Sequence, residues 1–251
     1  MTHPYRALPT AHLASFALAL TLAVSGAVAT APAAPHFDYR HQEQWQEIHG
    51  DMQSPIAVDP AVAKTDTDDD DDDRIVVRHG LREALVVDTG HAVQVNLTPG
   101  ESANIRSRRF VLQQFHFHAP SEHSIDGRSF PLEGHFVYRA KDGRLAVVAV
   151  MFEAGAPNEV AELVLSRFAS GRADIPVRLD AEALLPSTVD YYHYLGSLTT
   201  PPLSQNVEWY VLTRPMTMSA AQIAGFKALY DGNNRKRQPL NGRPLLHFTQ
   251  D

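Results

Sequence analysis

Short runs rich in Val, Ile, Phe and Tyr recur along the chain from Arg74 onward, and Gly, Pro and Asp separate them. Runs of this length and composition, bounded by turn residues, are typical of β-strands. The runs are RIVVRH, HAVQVNL, FVLQQFHFH, EGHFVYRA, RLAVVAVMF and VEWYVLT. Two other segments have helical spacing: PNEVAELVLSRFA, capped by Asn158, and SAAQIAGFKALYDG, where Ser219 and Gln222 form a capping box. The sequence therefore predicts a mainly β fold with peripheral helices.

Length and charge narrow the class of protein. A chain of 251 residues has ample material for one large domain, and its Gly and Pro are spread out rather than gathered in a linker, so we expect a single domain. The net charge of −7 argues against nucleic acid or an anionic membrane as a partner, since both attract basic surfaces.

The N-terminus has the layout of a secretory signal peptide. Arg6 is followed by an apolar run from Leu13 to Val28, and Ala27-Val28-Ala29 is a small-x-small cleavage pattern. We therefore expect residues 1–29 to be removed and residues 30–251 to be periplasmic or secreted, with no membrane contact after cleavage. An uncleaved membrane anchor is the alternative, although the apolar run is short for a membrane span.

A dense acidic stretch, TDTDDDDDDR, occupies residues 65–74. Like charges at this density repel each other, so the stretch is expected to be a solvated loop inserted into the domain. A calcium-binding EF-hand loop is excluded, because Asp71 stands where its turn glycine belongs and Val77 where its bidentate glutamate belongs.

Histidines are concentrated in QFHFHAPSEH, residues 114–123. On a strand, His116 and His118 project from one face, whereas Phe115 and Phe117 project from the other and can be buried. The chain has no cysteine, so a zinc site could use only histidine and carboxylate ligands. Taken alone, however, a His-x-His pair is a weak signal of metal binding.

A second strand strengthens the case for a metal. PLEGHFVY places Glu133 and His135 on one face, and an antiparallel hairpin would bring His135 beside His116 and His118. Three neutral nitrogen ligands with one open position are typical of a catalytic zinc site. Gln114 and Glu133 lie on the same faces and could accept the second ring N–H groups of the ligands.

These two motifs, together with GSLTTPPL and VEWYV, resemble the alpha-class carbonic anhydrases of bacterial, exported type. So do QSPI at residues 53–56, GHA at 90–92 and NNRKRQPLNGR at 233–243. The resemblance runs from about His36 to the C-terminus. It implies a large, twisted, mostly antiparallel central sheet with Zn²⁺ in a conical cavity. It also implies reversible hydration of carbon dioxide to bicarbonate and a proton, through attack by zinc-bound hydroxide.

By this resemblance, His116, His118 and His135 are the zinc ligands, and Gln114 and Glu133 are their hydrogen-bond partners. The roles of the remaining site residues rest on the same resemblance.

Glu122 and Thr199 would orient the nucleophile, Thr200 would contact bicarbonate, and His91 would carry protons between the zinc site and solvent. An apolar pocket for carbon dioxide would be formed by Val137, Val147, Leu198, Val207 and Trp209.

Two rival functions remain at this point. One is a catalytically inactive carbonic anhydrase-related binding protein, although such relatives usually lack a zinc histidine. The other is a different zinc hydrolase, such as an esterase, although the chain has no G-x-S-x-G or H-E-x-x-H motif. The expected partners are the small molecules carbon dioxide and bicarbonate, and a homodimer is left open.

Overall fold

The computed structural model describes residues 37–249 apart from 46–49, 66–73, 79, 99, 101 and 173–174. These residues belong to one compact unit, Ala34–Asp251. The predicted signal peptide (residues 1–29) and nearly all of the acidic loop lie outside the described residues, so both stay predictions. Within the described ranges, no helix has the length and apolar character needed to cross a bilayer.

The described part of the chain forms a 13-stranded sheet, a separate two-stranded pair and two α-helices. The helices are α1 (Glu159–Ala169) and α2 (Ala220–Leu229). The strands in chain order are β1 (Ala57–Val58), β2 (Lys64–Thr65), β3 (Ile75–Val76), β4 (Leu81–Asp88), β5 (Val93–Leu97), β6 (Ser102–Ile105), β7 (Arg108–His118), β8 (Ser124–Ile125), β9 (Leu132–Ala140), β10 (Leu145–Ala154), β11 (Val177–Asp180), β12 (Tyr191–Ser197), β13 (Gln205–Leu212), β14 (Met216–Met218) and β15 (Leu246–Phe248). Short 3₁₀ helices cover Tyr39–Gln44 and Ala181–Leu184.

The large sheet has the strand order β11-β4-β5-β7-β9-β10-β13-β12-β15-β2, with β14 beside β10 and the β3–β6 pair joined to β7. Most neighbours are antiparallel, whereas β10–β13, β10–β14 and β15–β2 are parallel. β1 and β8 form the separate pair and are also parallel. The prediction of a mainly β protein built on a large, mostly antiparallel sheet is confirmed.

Side chains alternate along the central strands, so one face of the sheet packs into the core and the other faces the cavity. On β7 and β9, the side chains of Phe115, Phe117 and Phe136 are buried in the larger hydrophobic cluster. Burial of one such side chain stabilises the fold by about 1.5–3 kcal/mol. The helix α2 covers this face, and its Phe226 ring lies 4.4 Å from the Phe117 ring. The histidines of β7 and β9 are thereby left on the opposite face.

Both helices begin at the residues predicted from the sequence. The Asn158 side chain accepts hydrogen bonds from Val160 N and Ala161 N at the start of α1. At the start of α2, Ser219 and Gln222 form the expected capping box. Gln222 also exchanges hydrogen bonds with the backbone of Asn158, so the two helix N-termini are tied together.

A β-bulge interrupts β7 just before its histidines. The register of β7 against β9 shifts between Leu112 and Gln114, which leaves Gln113 without a Cα partner. A bulge of one residue reverses the alternation of faces. Phe110 and Leu112 therefore stay in the core, while Gln113 and Gln114 both line the cavity.

Candidate active site

The two histidine-bearing strands pair as predicted. His116 lies directly opposite His135 in the antiparallel register of β7 and β9, and His118 follows two residues later on the same face. One ring nitrogen from each of the three residues can be chosen so that all lie within 4.8 Å of one another. Three imidazoles from two neighbouring strands therefore converge at one point on the cavity face.

Hydrogen bonds fix which nitrogen each ring presents. Nδ1 of His116 donates to Gln114 Oε1 (2.9 Å), and Nδ1 of His118 donates to the carbonyl oxygen of Asn233 (2.6 Å). The His135 ring is reversed, because its Nε2 donates to Glu133 Oε1 (2.7 Å). The nitrogens that remain are Nε2 of His116, Nε2 of His118 and Nδ1 of His135.

The donor set fits a zinc ion. Nε2 of His118 is buried and has no hydrogen-bond partner within the described part of the chain, although an unpaired buried polar atom is normally unfavourable. A metal ion would satisfy it. Three nitrogen ligands, each fixed by a hydrogen bond from its other ring nitrogen, match the requirements of catalytic Zn²⁺.

The surroundings keep these imidazoles neutral. Burial lowers the pKa of His118 and His135 and holds that of His116 well below its usual range, where the neighbouring histidine charges add to the effect of burial. Burial alone would raise the pKa of Glu133, but the adjacent His123 and His135 rings reverse this and hold it well below the usual value. The ionised Glu133 thus accepts the Nε2–H of a neutral His135, and Nδ1 of His135 remains to bind a metal.

Glu133 also anchors a buried network beside the site. It accepts hydrogen bonds from the backbone N–H (2.8 Å) and Nδ1 (2.7 Å) of His123. Nε2 of His123 lies 2.7 Å from the Tyr194 hydroxyl, which in turn donates to Ser54 Oγ. His123, Glu133 and His135 also lie close enough to hold a metal, but their polar atoms already satisfy one another.

Glu122 is fully buried next to the histidines. Its Oε1 accepts a hydrogen bond from Arg235 N (2.7 Å). Burial raises the pKa of Glu122 to about 7, even though the charge of His135, the Arg235 N–H and the hydroxyl of Thr199 all favour the ionised form. The structure thus brings Glu122 and Thr199 together, as the resemblance implies.

A cavity of about 670 Å³ opens onto the three histidines. One wall is apolar and the other is rich in glutamine. Most of the residues predicted from the sequence line it, whereas Glu122 and Glu133 are buried outside the lining. Val207, predicted as part of the carbon dioxide pocket, is buried in the smaller core cluster and does not line the cavity. The lining residues are Phe37, Tyr39, Thr89, His91, Ala92, Gln94, Gln113, Gln114, His116, His118, His135, Val137, Arg139, Leu145, Val147, Leu198, Thr199, Thr200, Pro201 and Trp209.

His91 lies in the cavity wall and is held from two sides. Its ring stacks on Phe37, with centroids 3.7 Å apart and planes inclined by 20°. Its backbone oxygen accepts a hydrogen bond from Asn233 Nδ2 (3.0 Å). His91 and Phe37 also line a second groove of about 470 Å³, so the ring stands between this groove and the cavity.

Sequence reasoning did not anticipate two features of the site. The bond from His118 to the carbonyl of Asn233 joins residues far apart in the chain, and no local pattern signals it. Arg139 also lines the cavity. Its place could have been found, because it follows His135 and Val137 at the same two-residue spacing on β9.

The chain matches known proteins over most of its length. The family model "Eukaryotic-type carbonic anhydrase" matches residues 39–249. Among curated relatives, a carbonic anhydrase of Pectobacterium atrosepticum is 41% identical over 202 residues, 79% of this chain and 80% of that protein. A carbonic anhydrase of Klebsiella pneumoniae is 38% identical over 230 residues, 85% of this chain and 91% of that protein.

Solved structures agree with these matches. The alpha-carbonic anhydrase of Thermovibrio ammonificans in complex with the inhibitor sulfanilamide has a TM-score of 0.69 and 36% identity, covering 78% of this chain and 87% of that chain. Dioscorin complexed with ascorbate has a TM-score of 0.71 and 27% identity, covering 80% and 87%.

The fold and the cavity thus define a protein of the carbonic anhydrase type, with a histidine cluster that suits zinc. The chain belongs to the alpha-class carbonic anhydrase family, whose reaction is the hydration of carbon dioxide.

Proposed function

We propose that this chain is an active, zinc-dependent enzyme that interconverts carbon dioxide with bicarbonate and a proton. The observation that carries the proposal is the arrangement of the three histidine nitrogens. They converge at the floor of an open cavity, each ring is fixed by a hydrogen bond at its other nitrogen, and the buried Nε2 of His118 has no other partner in the described residues. When bound there, zinc supplies a hydroxide nucleophile near neutral pH, chemistry for which carbonic anhydrases are the standard example.

The surrounding residues bind and orient the reactants. The apolar wall of Val137, Val147, Leu198 and Trp209 suits carbon dioxide, which has no charge to solvate. Glu122 accepts a hydrogen bond from the Thr199 hydroxyl, so the oxygen of Thr199 is left to accept a hydrogen bond and to orient the nucleophile toward the substrate.

Thr200 and His91 complete the assignment. Thr200 lies beside Thr199 in the lining, which supports its assignment as a contact of bicarbonate. His91 moves the proton out of the cavity, because its ring borders both the cavity and the adjoining groove and imidazole titrates near neutral pH.

The test is the rate of carbon dioxide hydration by the chain from Thr30 onward, measured by stopped flow as isolated, after chelation and after zinc is restored. We expect fast hydration that disappears with the metal and returns with it. His118→Ala should bind zinc weakly and lose activity, whereas His41→Ala, which alters an exposed histidine, should keep both. Folded wild-type protein with one bound zinc and no hydration would contradict the proposal and favour the inactive binding-protein alternative.

We further propose that the enzyme acts after export, in the periplasm or outside the cell. The support is the signal-peptide layout of residues 1–29. N-terminal sequencing of the mature protein tests this, with a start at Thr30 expected. A mature protein that retains the apolar run and sediments with membranes would instead indicate an anchor.

A further inference from the structure

The described wall of the cavity contains one residue with a permanent charge. Among the twenty described residues that line the cavity, Arg139 is the only Lys, Arg, Asp or Glu. Its side chain is exposed, and no hydrogen bond or ion pair of its guanidinium is found within the described part of the chain. The Arg139 guanidinium therefore differs chemically from both the apolar wall and the glutamine-rich wall of the cavity.

The position of Arg139 follows from the alternation of β9. His135, Val137 and Arg139 share one face, so the arginine stands two steps outward from the metal ligand. At about 3.4 Å per residue, its Cα lies about 14 Å along the strand from that of His135. The long side chain can therefore reach an anion in the cavity without touching the histidine site.

The bulge in β7 adds polar groups on the same side. Arg139 pairs with Val111 across the strands. Gln113, turned toward the cavity by the bulge, donates a hydrogen bond from its side-chain amide to the carbonyl of Val111 (3.1 Å), the residue that pairs with Arg139. Guanidinium and amide groups together are typical donors to small oxyanions.

We propose that Arg139, with Gln113 beside it, forms an anion subsite in the outer cavity that holds bicarbonate. The inference rests on the proposed function, since bicarbonate is the anion that the reaction makes and uses. The protein as a whole carries a net charge of −7 and repels anions at long range. The subsite offsets this repulsion locally and makes Arg139 a determinant of anion affinity, not of carbon dioxide binding.

Loss of the charge should weaken bicarbonate binding about three- to ten-fold, which is the range of a single charge interaction across several ångströms of partly screened cavity. Carbon dioxide is neutral, so kcat/KM for its hydration should stay within about two-fold. Because the overall equilibrium fixes the ratio of kcat/KM in the two directions, KM and kcat for dehydration should rise together.

The experiment compares Arg139→Gln, Arg139→Lys and Arg178→Gln with the wild-type zinc enzyme. Arg178 is exposed on the edge strand β11, so its replacement makes the same change in net charge far from the cavity. The measurements are product inhibition of hydration by bicarbonate and, independently of turnover, calorimetric titration of the zinc protein with bicarbonate, which detects binding anywhere in the cavity.

We expect weaker bicarbonate binding in Arg139→Gln, near-wild-type binding in Arg139→Lys and no change in Arg178→Gln. Equal bicarbonate affinity in wild type and Arg139→Gln would overturn the subsite, as would an equal loss in Arg178→Gln. A wild-type protein without hydration activity would instead refute the proposed function, and the calorimetric titration would still report on the subsite.

Discussion

At the scale of single residues, Glu133 is the residue whose carboxylate orients two buried histidines of the site. It fixes His135 through Nε2 and His123 through two further hydrogen bonds. Glu133→Gln replaces an acceptor oxygen by an NH₂ group, which would face an N–H group. We expect a 10- to 100-fold loss of zinc affinity, about the effect of losing a partner of a metal-bound histidine. Competition with a chelator measures it.

The control for this prediction is Glu159→Gln, which makes the same chemical change at an exposed residue in the first turn of α1. Its zinc affinity should equal that of the wild type. If Glu133→Gln folds and binds zinc as tightly as the wild type, Glu133 does not orient His135 in the way the hydrogen bond suggests.

Residues of the site were predictable where they depend on strand alternation. The alternation of side chains along β7 and β9 depends only on neighbouring residues, so the sequence alone places His116 and His118 on one face of their strand. The turn residues before His135 then predict that the two strands pair. The hydrogen bond from His118 to the Asn233 carbonyl could not be predicted from the sequence, because it depends on how a distant loop returns to the sheet. The burial of Val207 likewise depends on which neighbouring side chains cover it.

At the scale of secondary structure, strands with strong β-forming composition were predicted well and others were not. LREALVVD forms β4, although Leu, Arg, Glu and Ala favour helices, because Ala84 and Val86 become buried against the sheet. YYHYLGS forms β12 and is not among the predicted strands, although its aromatic residues favour a strand. Among the described residues of the run RIVVRH, 74–78, only Ile75–Val76 pairs as a strand.

The bulge at Gln113 adds one unpaired residue to β7 while the side chains on both sides of it keep the same core face. Deleting Gln113 should restore simple alternation and leave Leu112 and Gln114 opposite their present partners, so Phe110 and Leu112 should stay in the core. Because no apolar side chain becomes exposed, the free energy of unfolding should fall by no more than about 1 kcal/mol, as in Gln113→Ala. Urea unfolding of both variants tests this, and a loss of about 3–6 kcal/mol in the deletion alone would show that Phe110 and Leu112 had left the core.

At the scale of the whole molecule, two hydrophobic clusters on opposite faces of the sheet hold a fold that has no disulfide. On the face away from the cavity, His193 lies between Arg106 and Tyr210: its Nδ1 is 3.4 Å from the Arg106 guanidinium, and its ring stacks on Tyr210. Burial, followed by the Arg106 charge, lowers the pKa of His193 to about 4, although Glu208 opposes the shift.

This pKa makes global stability depend on pH in a defined window. An unfolded histidine has a pKa of about 6.5, so above that pH neither state binds the proton and stability is unaffected. As the pH falls from about 6.5 toward 4, His193 binds a proton in the unfolded chain but not in the folded protein. The free energy of unfolding should therefore fall by about 2–3 kcal/mol. His193→Gln removes this contribution, while His41→Gln, at an exposed ring, should retain it. Urea unfolding at pH 7 and pH 4.5 compares the three proteins. A decline in His193→Gln as steep as in the wild type would mean that other groups cause the acid sensitivity.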